Sequence, residues 1–206
     1  RPCRTNNNYG FKLSKEAILE TSDNPDISIS LTDPMFLYSS GEGTAQIDKV
    51  IIGASVKELG NLGILCSELV LKEGVKTLGS GCFIISSLLP NFAENPRYDD
   101  IEIPASVENF SPYAISSHHT SGRLIFKDSD KPLNIVGKPY SGYDDYKSSI
   151  KELYLGRTLS ETSATFDSYV ALQKAIVGEN VTSITAGTFK NCTALTNVII
   201  PASVET

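Results

Sequence analysis

The sequence lacks tryptophan altogether, and its 206 residues include two histidines, one methionine and four cysteines. The histidines are adjacent, His118-His119. Neighbouring side chains point apart, so this pair reads as a polar surface loop and not as a chelate. Cys3, Cys66, Cys82 and Cys192 form no CxxC pair and stand at no ligand spacing from a histidine, which argues against a zinc site. Four thiols in a chain of this length are ordinary usage and not a disulfide framework. No apolar run approaches the ~20 residues of a membrane-spanning helix. No block of Lys or Arg occurs, and 18 basic against 24 acidic residues give a net charge of −6. A nucleic-acid or anionic-membrane surface is therefore not expected. GxSxG, HExxH and P-loop motifs are missing too. Asp99-Asp100, Asp128-Ser129-Asp130 and Asp144-Asp145 lack the alternating ligands of a calcium loop and read as solvated turns. The sequence thus predicts no catalytic residue, no metal and no cofactor.

What remains is 40% hydrophobic residues, enough to bury a core in one domain or one elongated array. Arg1 opens the chain without a leader, so either a leader has been removed or the chain belongs to a larger protein. Cys3 would suit a lipid-anchored N-terminus.

The spacing of apolar residues carries the most information. Val50-Ile51-Ile52-Gly53-Ala54-Ser55-Val56, Ile101-Glu102-Ile103-Pro104-Ala105-Ser106-Val107 and Val198-Ile199-Ile200-Pro201-Ala202-Ser203-Val204 share one form. Leu69–Val75, Leu153–Leu159 and Ala175–Val181 fit the same frame, and Leu124-Ile125-Phe126 fits if three extra residues precede Leu133. The last apolar residues of these segments fall at positions 52, 71, 103, 126, 155, 177 and 200, a spacing centred near 23 residues. Such a period belongs to solenoids, in which a short strand, a turn and an irregular return repeat and stack. Alternate strand residues point inward, and Pro or Gly ends the strand. Phe83, Phe189, Val107 and Val181 are predicted core positions, and Cys66, Cys82 and Cys192 are predicted to be buried, reduced thiols. The terminus at Thr206 falls inside a repeat, which predicts a truncated last unit.

Val181-Thr182-Ser183-Ile184, continuing to Phe189-Lys190-Asn191-Cys192-Thr193-Ala194-Leu195, resembles the BspA-like leucine-rich repeat family of bacterial cell surfaces, as does Ile103–Val107. The resemblance spans about residues 47–206. It implies a curved repeat solenoid with a parallel β-sheet on its concave face and irregular or short helical returns. It also implies a binding or adhesion role without catalysis, on a cell-surface or secreted protein. The expected organisation is an N-terminal cap or irregular extension over 1–46 and a solenoid of about seven units over 47–206.

The middle residue of each strand is Ile51, Val70, Glu102, Ile125, Tyr154, Ile176 and Ile199, flanked by Lys49, Lys72, Lys127, Glu152 and Lys174. Period-two alternation turns these residues outward. The family pattern often has threonine there, whereas five of the seven here are Ile or Val. β-Propensity and cross-strand stacking favour such residues on their own. An apolar stripe rimmed by charge is also the expected surface for a protein or glycan partner. The second functional expectation is a structural spacer within a longer surface protein.

Overall fold

Two apolar residues on either side of a strand's middle residue share one face, and an apolar residue four places later can anchor the following turn beneath it. The computed structural model builds a stack of rungs on that pattern. It describes residues 3–5, 8–10, 18–24, 26–31, 35–37, 47–60, 62–64, 66–80, 98–114, 120–136 and 150–205.

The repeat strands lie in two parallel blocks. One holds β3 (Ile18–Glu20), β6 (Ile47–Ile52) and β9 (Cys66–Leu71). The other holds β11 (Tyr98–Ile103), β13 (Thr120–Phe126), β15 (Glu152–Leu155), β16 (Lys174–Val177) and β17 (Asn197–Ile199). A second side of the stack is the parallel sheet of β4 (Ile29–Leu31), β7 (Val56–Leu59), β10 (Thr77–Leu78), β12 (Asn109–Phe110) and β14 (Asn134–Ile135). A third side at the N-terminal end has β2 (Asn8–Gly10), β5 (Met35–Leu37) and β8 (Leu62–Ile64) in parallel, with β1 (Cys3–Thr5) antiparallel to β2. The chain is a repeat solenoid. Its helical content among the described residues is one 3-10 turn, Pro112–Ala114.

The inward strand pairs Val50/Ile52, Ile101/Ile103, Leu124/Phe126, Leu153/Leu155 and Ala175/Val177 are all buried. Anchors Val56, Val75, Val107, Leu133 and Val181 are fully buried, and a parallel bridge sets Leu133 beside Leu159 despite the three extra residues before it. Leu59, Leu78, Phe110 and Ile135 stack in register as a further column. Phe110 meets Phe126 edge-on at 5.1 Å, Phe126 meets Phe166 at 6.0 Å, and Phe166 stacks on Phe189 at 6.2 Å. Each large apolar side chain taken from water into such columns contributes roughly 1.5–3 kcal/mol. No rung can bury these faces alone, so stacking is what makes the fold.

Two expectations need correction or placement. Phe189, expected to be nearly fully buried, is half-buried, because Phe166 covers one of its faces and no further aromatic among the described residues stacks on the other. Val198 and Ile200, at inward positions of the last repeat, are 41% and 54% exposed. Phe83 and Cys82 lie outside the described residues. Cys192 is a free, half-buried thiol whose Sγ donates to the Phe166 carbonyl at 3.2 Å.

Residues 8–37, on the N-terminal side of the expected boundary at 46/47, contribute β2, β3, β4 and β5 to the parallel sheets. The turn after β3 docks on the next rung through polar groups. Gly53 N donates to Thr21 Oγ1 at 2.7 Å, Ala54 N donates to Asp23 Oδ1 at 3.2 Å, and Ser55 N donates to the Ser22 carbonyl at 3.1 Å. Among the described residues, no helix is long and apolar enough to cross a membrane.

Candidate binding face

Alternation along the strands creates two outward rows. In the five-strand block, Glu102, Ile125, Tyr154, Ile176 and Ile199 are register partners across successive strands. Ile51 and Val70 are register partners in the other block. The outward column is therefore paired in two runs and not as one continuous ladder of seven, since no register is defined between β9 and β11 among the described residues. Ile51, Val70, Ile125, Tyr154 and Ile176 are half-buried by their neighbours, while Glu102 and Ile199 are exposed.

Two residues towards the strand starts, the second row reads Asp100, Arg123, Glu152, Lys174 and Asn197. Arg123 and Asp100 form a fork: Nε donates to Oδ1 at 2.9 Å and Nη2 to Oδ2 at 2.6 Å. That hydrogen bonding holds the Asp100 carboxyl below its ordinary value and raises the Arg123 guanidinium. Lys127 pairs with Glu102 at 3.0 Å. Glu152 and Lys174 form no ion pair or hydrogen bond through their side chains with any described residue.

Tyr154 decides the shape of this face. Its hydroxyl donates to Asp128 Oδ1 at 2.7 Å. Burial, and then this hydrogen bond to a carboxylate, push the phenol up to about 12. Asp128 follows β13, so the ring leans towards the strand ends. Two glycines make room there. A Cβ on Gly156 would lie 2.6 Å from Asp128 N and from the Phe126 carbonyl. A Cβ on Gly178 would lie 2.7 Å from the Tyr154 hydroxyl and 2.8 Å from Asp128 Oδ1. The first rung repeats the device, with Asp23 Oδ1 set 2.6 Å from where a Gly53 Cβ would be.

Because the ring leans one way, the other half of the face is left open. A depression of about 310 Å³ lies there, floored by Leu153 with Ile125, Tyr154 and Ile176, and edged by Arg123, Glu152 and Lys174. Three of the seven expected partner-binding residues, Ile125, Tyr154 and Ile176, thus line one concavity. Ile51, Val70, Glu102 and Ile199 lie outside it. Sequence reasoning did not find Arg123 or Asp128. The available signal for Arg123 was its place two residues before Ile125, between acidic residues at the same place in neighbouring repeats. Among the described residues no group of three or more His, Cys, Asp or Glu could hold a metal. His118 and His119 lie outside the described residues, as do Asp144 and Asp145.

Residues 143–206 match the family model described as BspA type Leucine rich repeat region (6 copies). That stretch is similar to a BspA-type leucine-rich repeat region. The matched stretch holds β15, β16 and β17, and the same parallel block continues upstream through β13 and β11. No curated protein is matched by the sequence. Among solved structures, the chain is similar to the pneumococcal vaccine antigen PcpA, at 13% identity and a TM-score of 0.43, over 98% of this chain and 68% of that one. It is also similar to a leucine rich cell surface protein from Faecalibacterium prausnitzii A2-165, at 16% identity and a TM-score of 0.28. That match covers 74% of this chain and 59% of the other.

Proposed function

We propose that this BspA-type repeat region is a non-catalytic interaction module of a bacterial cell-surface or secreted protein, binding a partner through the outward face of its repeat sheet. The observation that carries the reading is the depression on β13, β15 and β16, where an aliphatic floor meets two charges, Glu152 and Lys174, without ion-pair partners among the described residues. Apolar surface rimmed by polar groups is typical of sites that exchange water for a partner. The partner-binding set is Ile51, Val70, Glu102, Ile125, Tyr154, Ile176 and Ile199, with the weight on Ile125, Tyr154 and Ile176. We further propose that the array begins with the rung of β3, β4 and β5, leaving the β1–β2 hairpin as the cap on β5.

The test is saturable binding of the labelled chain to bacterial and host-cell surfaces, compared with Ile125→Asp and Tyr154→Ala variants of unchanged melting temperature. A drop of at least about ten-fold in affinity, roughly 1.4 kcal/mol, is expected. Equal binding by wild type and both variants overturns the reading and leaves the spacer function in its place.

A further inference from the structure

The proposed binding face has a charge pattern that specifies its partner. Glu152 and Lys174 are register partners on adjacent parallel strands, about 4.8 Å apart in the backbone. They edge the same depression, and neither side chain is satisfied by a described residue, whereas their neighbours on the face are paired as Asp100–Arg123 and Glu102–Lys127. Glu152 acts on Arg123 through space, but the Arg123 fork is occupied by Asp100.

The floor argues against a sugar. A pyranose brings several hydroxyls, each of which loses water on docking and needs a partner. Ile125 and Ile176 offer none, the Tyr154 hydroxyl is already committed to Asp128, and Glu152 and Lys174 at the edge are too few to satisfy a ring of hydroxyls. An aliphatic floor favours a side chain of the same kind.

Resting on the sheet-face reading above, we infer that the partner is an extended protein segment placing an apolar side chain between Ile125 and Ile176, a basic side chain on Glu152 and an acidic one on Lys174. Residues of an extended segment advance about 3.3 Å each, so opposite charges one or two positions apart span the two strands. The pairing gives orientation and partner choice more than raw affinity, because exposed ion pairs contribute little each.

The experiment pans a phage-displayed random peptide library on the intact chain and measures the selected peptides against two variants. Expected are peptides with an apolar residue beside a basic–acidic pair. Ile125→Asp should weaken them at least about ten-fold. The double exchange Glu152→Lys/Lys174→Glu preserves net charge; it should weaken them comparably and be rescued by peptides with the two charges swapped. Peptides that need Ile125 yet ignore the exchange overturn this inference and leave the face reading intact. Peptides indifferent to Ile125→Asp overturn both. Glycan-array binding that depends on Ile125 and Tyr154, without peptide selection, overturns the protein-segment assignment alone.

Discussion

Arg157 and Glu73 grip one backbone turn from opposite sides. Arg157, fully buried, donates to the carbonyls of Pro104, Ala105 and Val107, while the Glu73 carboxylate accepts the N–H groups of Ala105 and Ser106 at 3.0 and 2.8 Å. Glu73 follows β9 and reaches one rung forward. Arg157 follows β15 and reaches back past the rung of β13. The wide turn after β13 leaves room for that reach, because its backbone bonds forward, from Ser129 N to the Gly156 carbonyl and from Leu133 N to that of Thr158. Among the described residues no carboxylate pairs directly with the guanidinium. Burial lowers its pKa, the field of Glu73 opposes that shift, and its Nε has no hydrogen-bond partner among the described residues.

Arg157→Ala should be among the most costly single changes in the molecule. It takes a donor from three carbonyls, of which that of Pro104 keeps the Val107 N–H, and opens a void the size of the guanidinium. An orphaned buried acceptor costs ~1–3 kcal/mol, so the sum should reach roughly 3–5 kcal/mol. Arg157→Met should recover the packing but not the bonds, and stay well below wild type. Urea unfolding of both variants measures this. Wild-type stability for Arg157→Met would show that the hydrogen bonds are not what holds the turn.

The repeat frame was legible because Val56, Val75, Val107 and Val181 recur at one distance from the strand, and burial demands that recurrence. The first rung was not. Its turn meets the stack through Thr21, Ser22 and Asp23, and polar groups satisfy the next rung's backbone as well as an aliphatic column fills a core. Arg157 was hidden differently. It holds the turn position taken by Ala54, Glu73, Ala105 and Glu179 in other repeats, where a charged residue reads as solvated. The outward column followed from alternation alone, but the depression in it did not, since it comes from the tilt of Tyr154 towards an irregular turn.

Burial ranks the aromatic column. Phe166 is fully buried between Phe126 and Phe189, so Phe166→Ala should cost ~3–5 kcal/mol through lost transfer energy and the cavity left behind. Phe189→Ala should cost clearly less, because one face is already uncovered. Thermal and urea melts of the two variants decide it. Equal losses would mean that Phe189 is covered in solution.

The two glycines under Asp128 should differ. At Gly156 an added methyl meets backbone atoms, Asp128 N and the Phe126 carbonyl, which cannot move without breaking the rung. At Gly178 the nearest atoms are the ends of the Tyr154 and Asp128 side chains, which can turn away. Gly156→Ala should therefore be the more destabilising. The cost of Gly178→Ala should also shrink in a Tyr154→Phe background, a non-additivity expected only of residues in contact. Strict additivity in that double-mutant cycle would place the hydroxyl elsewhere.

The Tyr154–Asp128 bond also predicts a response to alkali. Burial and the hydrogen bond to Asp128 push the phenol up to about 12 in the folded chain, against an ordinary value of about 10 when unfolded. The folded state therefore holds this proton more tightly. Its contribution to stability is fully present below about pH 10 and is lost as pH rises towards 12. Asp128→Asn removes the carboxylate charge and should bring the Tyr154 titration down towards 10, leaving burial as the remaining cause. Tyrosine ring-carbon chemical shifts, followed by NMR over that range and assigned by comparison with Tyr154→Phe, provide the measurement. A Tyr154 titration at about 10 in the wild-type chain would mean that the hydroxyl is free in solution. In that case the ring could swing over the depression, and the open half of the face would no longer be accounted for.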